Sequence, residues 1–228
     1  AEGIVEDCTL TAVAPNGCNY DAQSGAYIFF AKSLETASTL IARRNRMFVR
    51  AVGWAMVLRI ASTVTFPLDV AIWETAPTIT CASSYYGCQL VSIAGDLVNQ
   101  QLSFSGQERW SATAATGSFV LAVSNDLVNS SVSFANFSAS SDLVAVGKSV
   151  VGSTVMIVDT NAVATRSATG AMVSAGTWDR SVLTVRNASL RSISTAGCGV
   201  TAIVFDFGSV LSTTTMTIIN SILSASAP

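Results

Sequence analysis

Apolar residues recur along this chain in pairs two positions apart, and the pairs return every few tens of residues. The pattern is plainest in "DLVNQQLSFSG" from Asp96, which comes back as "DLVNSSVSFAN" from Asp126. Aligning on Phe104 puts Phe134, Ile157, Val185 and Ile218 in one column, at steps of 30, 23, 28 and 33 residues. Two positions earlier stand Leu102, Val132, Val155, Leu183 and Met216, all apolar. A period of two is what a strand with one buried face requires. Two positions after the anchor come Gly106, Asn136, Asp159, Asn187 and Asn220. These are residue types that tolerate a left-handed backbone, so each strand is expected to end in a sharp corner.

A second strand recurs at the same interval. It reads "FVLAV", "LVAV", "AMVS" and "AIVFDF", with Leu121, Val144, Val173 and Val204 aligned at steps of 23, 29 and 31 residues. Repeats of this length with two or three short strands each are the mark of a solenoid. One unit cannot bury its apolar face alone, whereas stacked units bury it together. The expected fold is all-β, a right-handed parallel β-helix, with the loops between strands free to vary in length. Residues 64–228 are assigned to its coils, with an earlier unit at "PLDVAIWE" placing Ile72 under Phe104. Residues 1–63 are expected to cap the solenoid or to supply its first coils, within one continuous domain. In that part "SLETASTLIA" sets Leu34, Ala37, Leu40 and Ile41 on one helical face, so a short helix over the open end is expected. No secretory leader or initiator Met opens the chain, and it stops at "SILSASAP" without a polar cap. It is therefore expected to be a segment of a longer solenoid.

Composition narrows the chemistry. Half of the 228 residues are hydrophobic but only 11% are charged, against about 25% in an ordinary globular protein. The net charge of −2 provides no basic field for nucleic acid, and "ARRNR" at Ala42–Arg46 reads as a solvated turn. The apolar run "AVGWAMVL" from Ala51 is too short to span a membrane, so membrane insertion is not expected of this segment. There is no His, which removes the commonest general base and metal ligand. No CxxC pair occurs, and no metal or cofactor is expected. Cys8 with Cys18, and Cys81 with Cys88, are spaced to close short disulfide loops, leaving Cys198 over. Three sequons, at Asn129, Asn136 and Asn187, join the cysteines in pointing to a secreted, glycosylated chain. Asn136 and Asn187 also belong to the corner column, and an amide buried in a ladder cannot carry a glycan. Use of all three sequons is therefore not expected.

Catalysis has thin support. β-Helical enzymes that hydrolyse pectin resemble one another in an "NTD" segment, an Asp pair, and later His and "RIK" segments, none of which is present. Lyases of this architecture use carboxylates to hold calcium. The one stacked pair here is Asp96 with Asp126, roughly 5 Å apart if they sit in successive coils, with Ser149 in the next. Asn99 and Asn129 stack likewise, followed by Gly152, and read as a structural ladder. Trp54, Trp73, Trp110 and Trp178 share no column, so core or loop packing is expected of them rather than a sugar-stacking groove.

Ser- and Val-rich imperfect repeats, Asn after a "V-x-V/I" strand, scattered Cys, sequons and little charge together resemble the very large surface proteins of trypanosomes and related flagellates, of the dispersed gene family type. The resemblance covers residues 90–226 and rests on texture. It implies an extracellular or membrane-anchored β-helical ectodomain with an adhesive role toward a surface ligand, carbohydrate or protein, and it supplies no catalytic residue. The competing expectation is a polysaccharide lyase or glycoside hydrolase of the pectin-lyase-like type.

Overall fold

The computed structural model describes residues 2–14, 25–51, 54–73, 76–81, 88–113, 118–166, 170–195, 201–208 and 210–227. These residues form parallel strands stacked as a β-solenoid, and none of them is helical. One face runs through Glu2–Glu6, Ser38–Arg43, Leu68–Trp73, Gln101–Thr113, Ser131–Ala139, Thr154–Val158, Val182–Arg186 and Thr215–Ile219. The chain then turns a corner onto a second face, which includes Thr9–Val13, Arg46–Ala51, Ala76–Cys81, Asn161–Arg166, Ser189–Ser194 and Ile222–Ser226. Gln101–Thr113 and Ser131–Ala139 bend round that corner as single long strands and join the two faces into one sheet. A third face is built from Gly25–Ala31, Trp54–Ile60, Cys88–Ile93, Phe119–Val123, Asp142–Val151, Gly170–Asp179 and Ala202–Asp206.

The column that defines the repeat is continuous in register. Ile72 pairs with Phe104, Phe104 with Phe134, Phe134 with Ile157, Ile157 with Val185, and Val185 with Ile218. Phe104, Phe134, Ile157 and Val185 are fully buried, and the first two rings stack with centroids 5.1 Å apart and planes 12° from parallel. Ile218 and Met216 hold the same two columns in the last coil but are 40% and 48% exposed. Parallel pairing makes each coil a template for the next. That is why unequal steps leave the strands in register while the loops absorb the difference.

Three expectations are corrected here. Ser38–Arg43 is a strand, not part of a helix. Its Leu40 lies over Val70, which lies over Leu102, so the core columns extend into the first coils. Neighbours on both sides satisfy the backbone of Thr39, Leu40 and Ile41, and two of these residues are β-branched; a lone helical turn would have no such partners. Residues 2–63 thus already carry coils. In the third face Leu121, Val144 and Val173 align as expected, but Val173 pairs with Phe205, one place beyond Val204. The register of the last unit differs from the expected one by one residue, because "AIVFDF" is apolar at alternating and adjacent positions alike. Finally, Cys8 is a free, exposed thiol, so no Cys8–Cys18 bridge forms. Its Sγ lies 3.0 Å from the Glu6 carbonyl oxygen and donates to it. Cys18 itself lies outside the described residues. Cys88 is disulfide-bonded and fully buried; the side chain of Cys81, its expected partner, lies outside those described.

Trp178 packs in the core, edge-on to Phe207 with centroids 5.4 Å apart, and is 1% exposed. The side chains of Trp73 and Trp110 lie outside those described. Among the described residues no helix is long and apolar enough to cross a membrane.

Candidate functional site

Two of the corners of the coil, among the described residues, are columns of residues with positive φ. At the first, Asp7, Arg44, Asn136, Asp159, Asn187 and Asn220 have φ between 48° and 53°, and Gly106 has φ 139°. At the second, Asn99, Asn129, Gly152, Arg180 and Thr213 have φ between 46° and 57°. Through the middle of both columns the left-handed residue throws its side chain outward and the next residue, such as Asn45, Ser130, Phe137, Ser153, Thr160 or Ser181, inward. Asn99, Asn129, Asn136, Asp159, Asn187 and Asn220 are all exposed. The corner amides therefore lie on the surface rather than buried in a ladder, and the conflict with the sequons at Asn136 and Asn187 disappears.

The interior ladder is made by the residue that follows, a feature that reading the Asn columns missed. At the second corner Gln100, Ser130, Ser153 and Ser181 are buried in succession. Ser130 Oγ accepts the Gln100 N–H at 2.9 Å, Ser153 Oγ accepts the Ser130 N–H at 3.0 Å, and Ser181 Oγ accepts the Ser153 N–H at 3.1 Å. Each hydroxyl then donates to a carbonyl two residues back, at 2.8 Å for Ser130 to Val128 and 2.9 Å for Ser153 to Val151. Gln100 ends the series with Oε1 accepting the Leu68 N–H at 2.7 Å. Corner N–H groups that the strands cannot pair are thereby satisfied inside the solenoid, as buried backbone requires. The available signal was a hydroxyl or amide right after each left-handed residue: "NQ", "NS", "GS" and "RS".

The stacked carboxylates have a comparable role. Asp96 Oδ1 accepts the Asp126 N–H at 3.2 Å, and Asp126 Oδ1 accepts the Ser149 N–H at 2.9 Å. Thr63 Oγ1 donates to Asp96 Oδ2 at 3.3 Å and accepts the Asp96 N–H at 3.2 Å. The sequence placed Asp96, Asp126 and Ser149 in one column, and the structure does the same. What the column does is bind coil to coil. Among the described residues no group of three or more His, Cys, Asp or Glu side chains is placed to hold a metal ion.

Near the start of the solenoid the corner is ionic. Arg44 donates to both Asp7 oxygens at 2.8 Å and to Glu6 at 3.3 Å, while Arg43 pairs with Glu6. The Arg44 hydrogen bonds hold the Asp7 carboxyl below the usual aspartate range. Within the "ARRNR" turn, Asn45 is buried, accepting the Cys8 N–H at 3.0 Å and donating to Val5 O at 2.8 Å.

Further along, the first corner borders an open groove of about 600 Å³ that crosses four coils. One side is the corner column Asn136, Asp159, Asn187 and Asn220. The other is the outward column of the second face, Ser138, Asn161, Ser189 and Ile222. Asn187 Nδ2 donates to Asp159 Oδ1 at 3.1 Å. The side chains of Asn136, Ser138, Asn161, Ser189 and Asn220 engage in no hydrogen bond within the described protein. No Lys or Arg lines the groove, and Asp159 is its single charge. The arrangement can recognise a ligand by hydrogen bonds but holds no nucleophile–base pair.

The chain matches no family model, no curated protein sequence and no solved structure.

Proposed function

We propose that this chain is a non-catalytic structural and adhesive β-solenoid segment of an extracellular, cell-surface protein. The observation that carries the reading is a division of labour between polar groups. The stacked carboxylates that an enzyme would need, Asp96 and Asp126, are engaged by the backbone N–H groups of the following coils. The outward groove, in contrast, keeps five polar side chains unspent and has no acid–base pair. Recognition needs only the second arrangement, whereas hydrolysis or elimination needs convergent acids and bases around a scissile bond. The buried disulfide at Cys88 supports an oxidising compartment. Low charge on a hydroxyl-rich surface, and the sequon at the exposed Asn129, fit the same location. The competing reading, a lyase or hydrolase acting on acidic polysaccharide, would have to place its site on residues other than the Asp96–Asp126 column. The test is retention of the intact protein on arrays of surface glycans and matrix-type proteins. Selective, saturable retention is expected. Retention nowhere above an albumin control would overturn the reading.

A further inference from the structure

We propose that the groove at the first corner binds a neutral, linear, hydroxyl-rich glycan chain lying along the solenoid axis. This rests on the adhesive reading and names its ligand class.

Four properties of the groove lead there. Its polar groups are unspent: Asn136, Ser138, Asn161, Ser189 and Asn220 offer both donors and acceptors and have no partner in the described protein. A hydroxyl, which both donates and accepts, is the complement of such a mixed amide–hydroxyl lining. The lining is also periodic, one set per coil, so its groups recur about every 4.8 Å. Successive sugars of an extended chain advance by close to one coil. Charge selects further. With Asp159 as the one charged side chain and no Lys or Arg, the groove offers nothing to a uronate or phosphate polymer and repels it weakly. Finally, the groove is open along its length, and Ile222, 70% exposed, adds an apolar surface at one end for the C–H face of a sugar ring. Four coils span three intervals, roughly 14 Å, which is the length of about three sugars.

The assignment has a consequence for modification. Asn136 and Asn187 are both sequon residues and groove residues. An attached glycan at either would fill the groove, so modification there and ligand binding are mutually exclusive. Asn129 stands at the other corner and is the sequon compatible with binding.

The experiment is calorimetric titration of the full, unglycosylated chain with cello-, laminari- and manno-oligosaccharides from dimer to hexamer, and with galacturonate oligomers of matching length. At least one neutral series should bind with affinity that rises with length and levels off near the trimer or tetramer, ahead of the galacturonates. Asn161→Ala and Ser189→Ala should each weaken binding by about 2–10-fold, the worth of one neutral hydrogen bond. Gln101→Ala, at the other corner, should leave it unchanged. Circular dichroism guards against misfolding, since both groove residues point outward and support no other residue. The proposal is overturned if the neutral oligomers fail to bind, if galacturonates bind better, if the groove variants bind as the parent does, or if a peptide competes for the same residues. Retention of the parent on arrayed surfaces with undiminished retention of both groove variants removes the groove assignment and leaves the adhesive reading standing. Retention of neither parent nor variants removes both.

Discussion

Replacing Ser153 with Ala removes one rung of the interior hydroxyl ladder and little else. Ser153 is 1% exposed, and its Oγ is the acceptor of the Ser130 N–H at 3.0 Å. That amide sits at a corner, out of reach of a strand partner, and Ser130 itself is 3% exposed. Ser153 Oγ faces two carbonyls, Val151 O at 2.9 Å and Leu127 O at 3.1 Å, and the nearer one keeps the Asn129 N–H at 2.9 Å and so is not orphaned. The dominant cost is therefore one buried, unpaired donor, about 1–3 kcal/mol. An outward hydroxyl provides the comparison. Ser133 Oγ donates to Ser103 Oγ at 3.2 Å on the exposed side of its strand, and Ser133→Ala should stay within about 0.5 kcal/mol. Solenoids open coil by coil, so a local probe is better than a global melt. Native-state hydrogen exchange at the Ser130 amide should accelerate roughly 30-fold in Ser153→Ala, the equivalent of about 2 kcal/mol. It should change little in Ser133→Ala. Equal protection of Ser130 in the two variants would refute the ladder as the support of that corner.

Other expectations follow from the same geometry. Phe134→Ala should cost about 3–5 kcal/mol in urea denaturation, and a double-mutant cycle with Phe104 should show coupling, since the rings stack; additivity would contradict the stacked core. Gly152 has φ 57°, and a Cβ there would lie 2.5 Å from Asn129 Oδ1, so Gly152→Ala should destabilise by about 1–2 kcal/mol and Asn129→Ala should relieve part of it. In the native protein Cys8 should react with iodoacetamide, while Cys88 should react only after reduction and unfolding, as mass spectrometry of the labelled peptides will show. Because Asp7 titrates lower in the folded chain than in the unfolded one, its contribution is present above about pH 3.9 and is lost as pH falls through the depressed folded value. The protection of the first coil in the parent over Asp7→Asn should accordingly decline as pH drops below about 3.9, vanish below the depressed folded value, and shrink in high salt.

The columns were legible in the sequence because two constraints coincide there. Inward positions alternate with a period of two, and each strand closes on a residue that tolerates positive φ, so Phe104 through Ile218 and Gly106 through Asn220 fall into columns in the sequence itself. Legibility failed where one constraint was missing. Ser38–Arg43 lacks alternation, since Leu40 and Ile41 are adjacent, and helical spacing was as good a fit as strand spacing until Val70 and Leu102 were placed beside it. The slip at Val204 has the same origin. The interior ladder was missed because a corner turns consecutive side chains to opposite sides. The residue with the unusual backbone is not the one that bonds inside, and Ser130, Ser153 and Ser181 look like ordinary turn serines without the fold. Asp96 and Asp126 were correctly stacked, but sequence cannot distinguish a carboxylate aimed at solvent from one aimed at the next coil's amide. The groove was not legible at all, because Ser138, Asn161 and Ser189 meet the corner column only after the chain has bent.

The central claim, recognition without catalysis, is tested most directly by following binding and bond cleavage in one sample. The intact chain is incubated with neutral glycans and with polygalacturonate, with calcium present, while retention and the release of reducing or unsaturated ends are measured together. Retention on a neutral glycan with no new chain ends is the expected result, unchanged in the Asp96→Asn, Asp126→Asn double variant, where Oδ1 still accepts the neighbouring N–H groups. Steady release of chain ends by the purified chain, whether the double variant abolishes it or keeps it, would contradict the account.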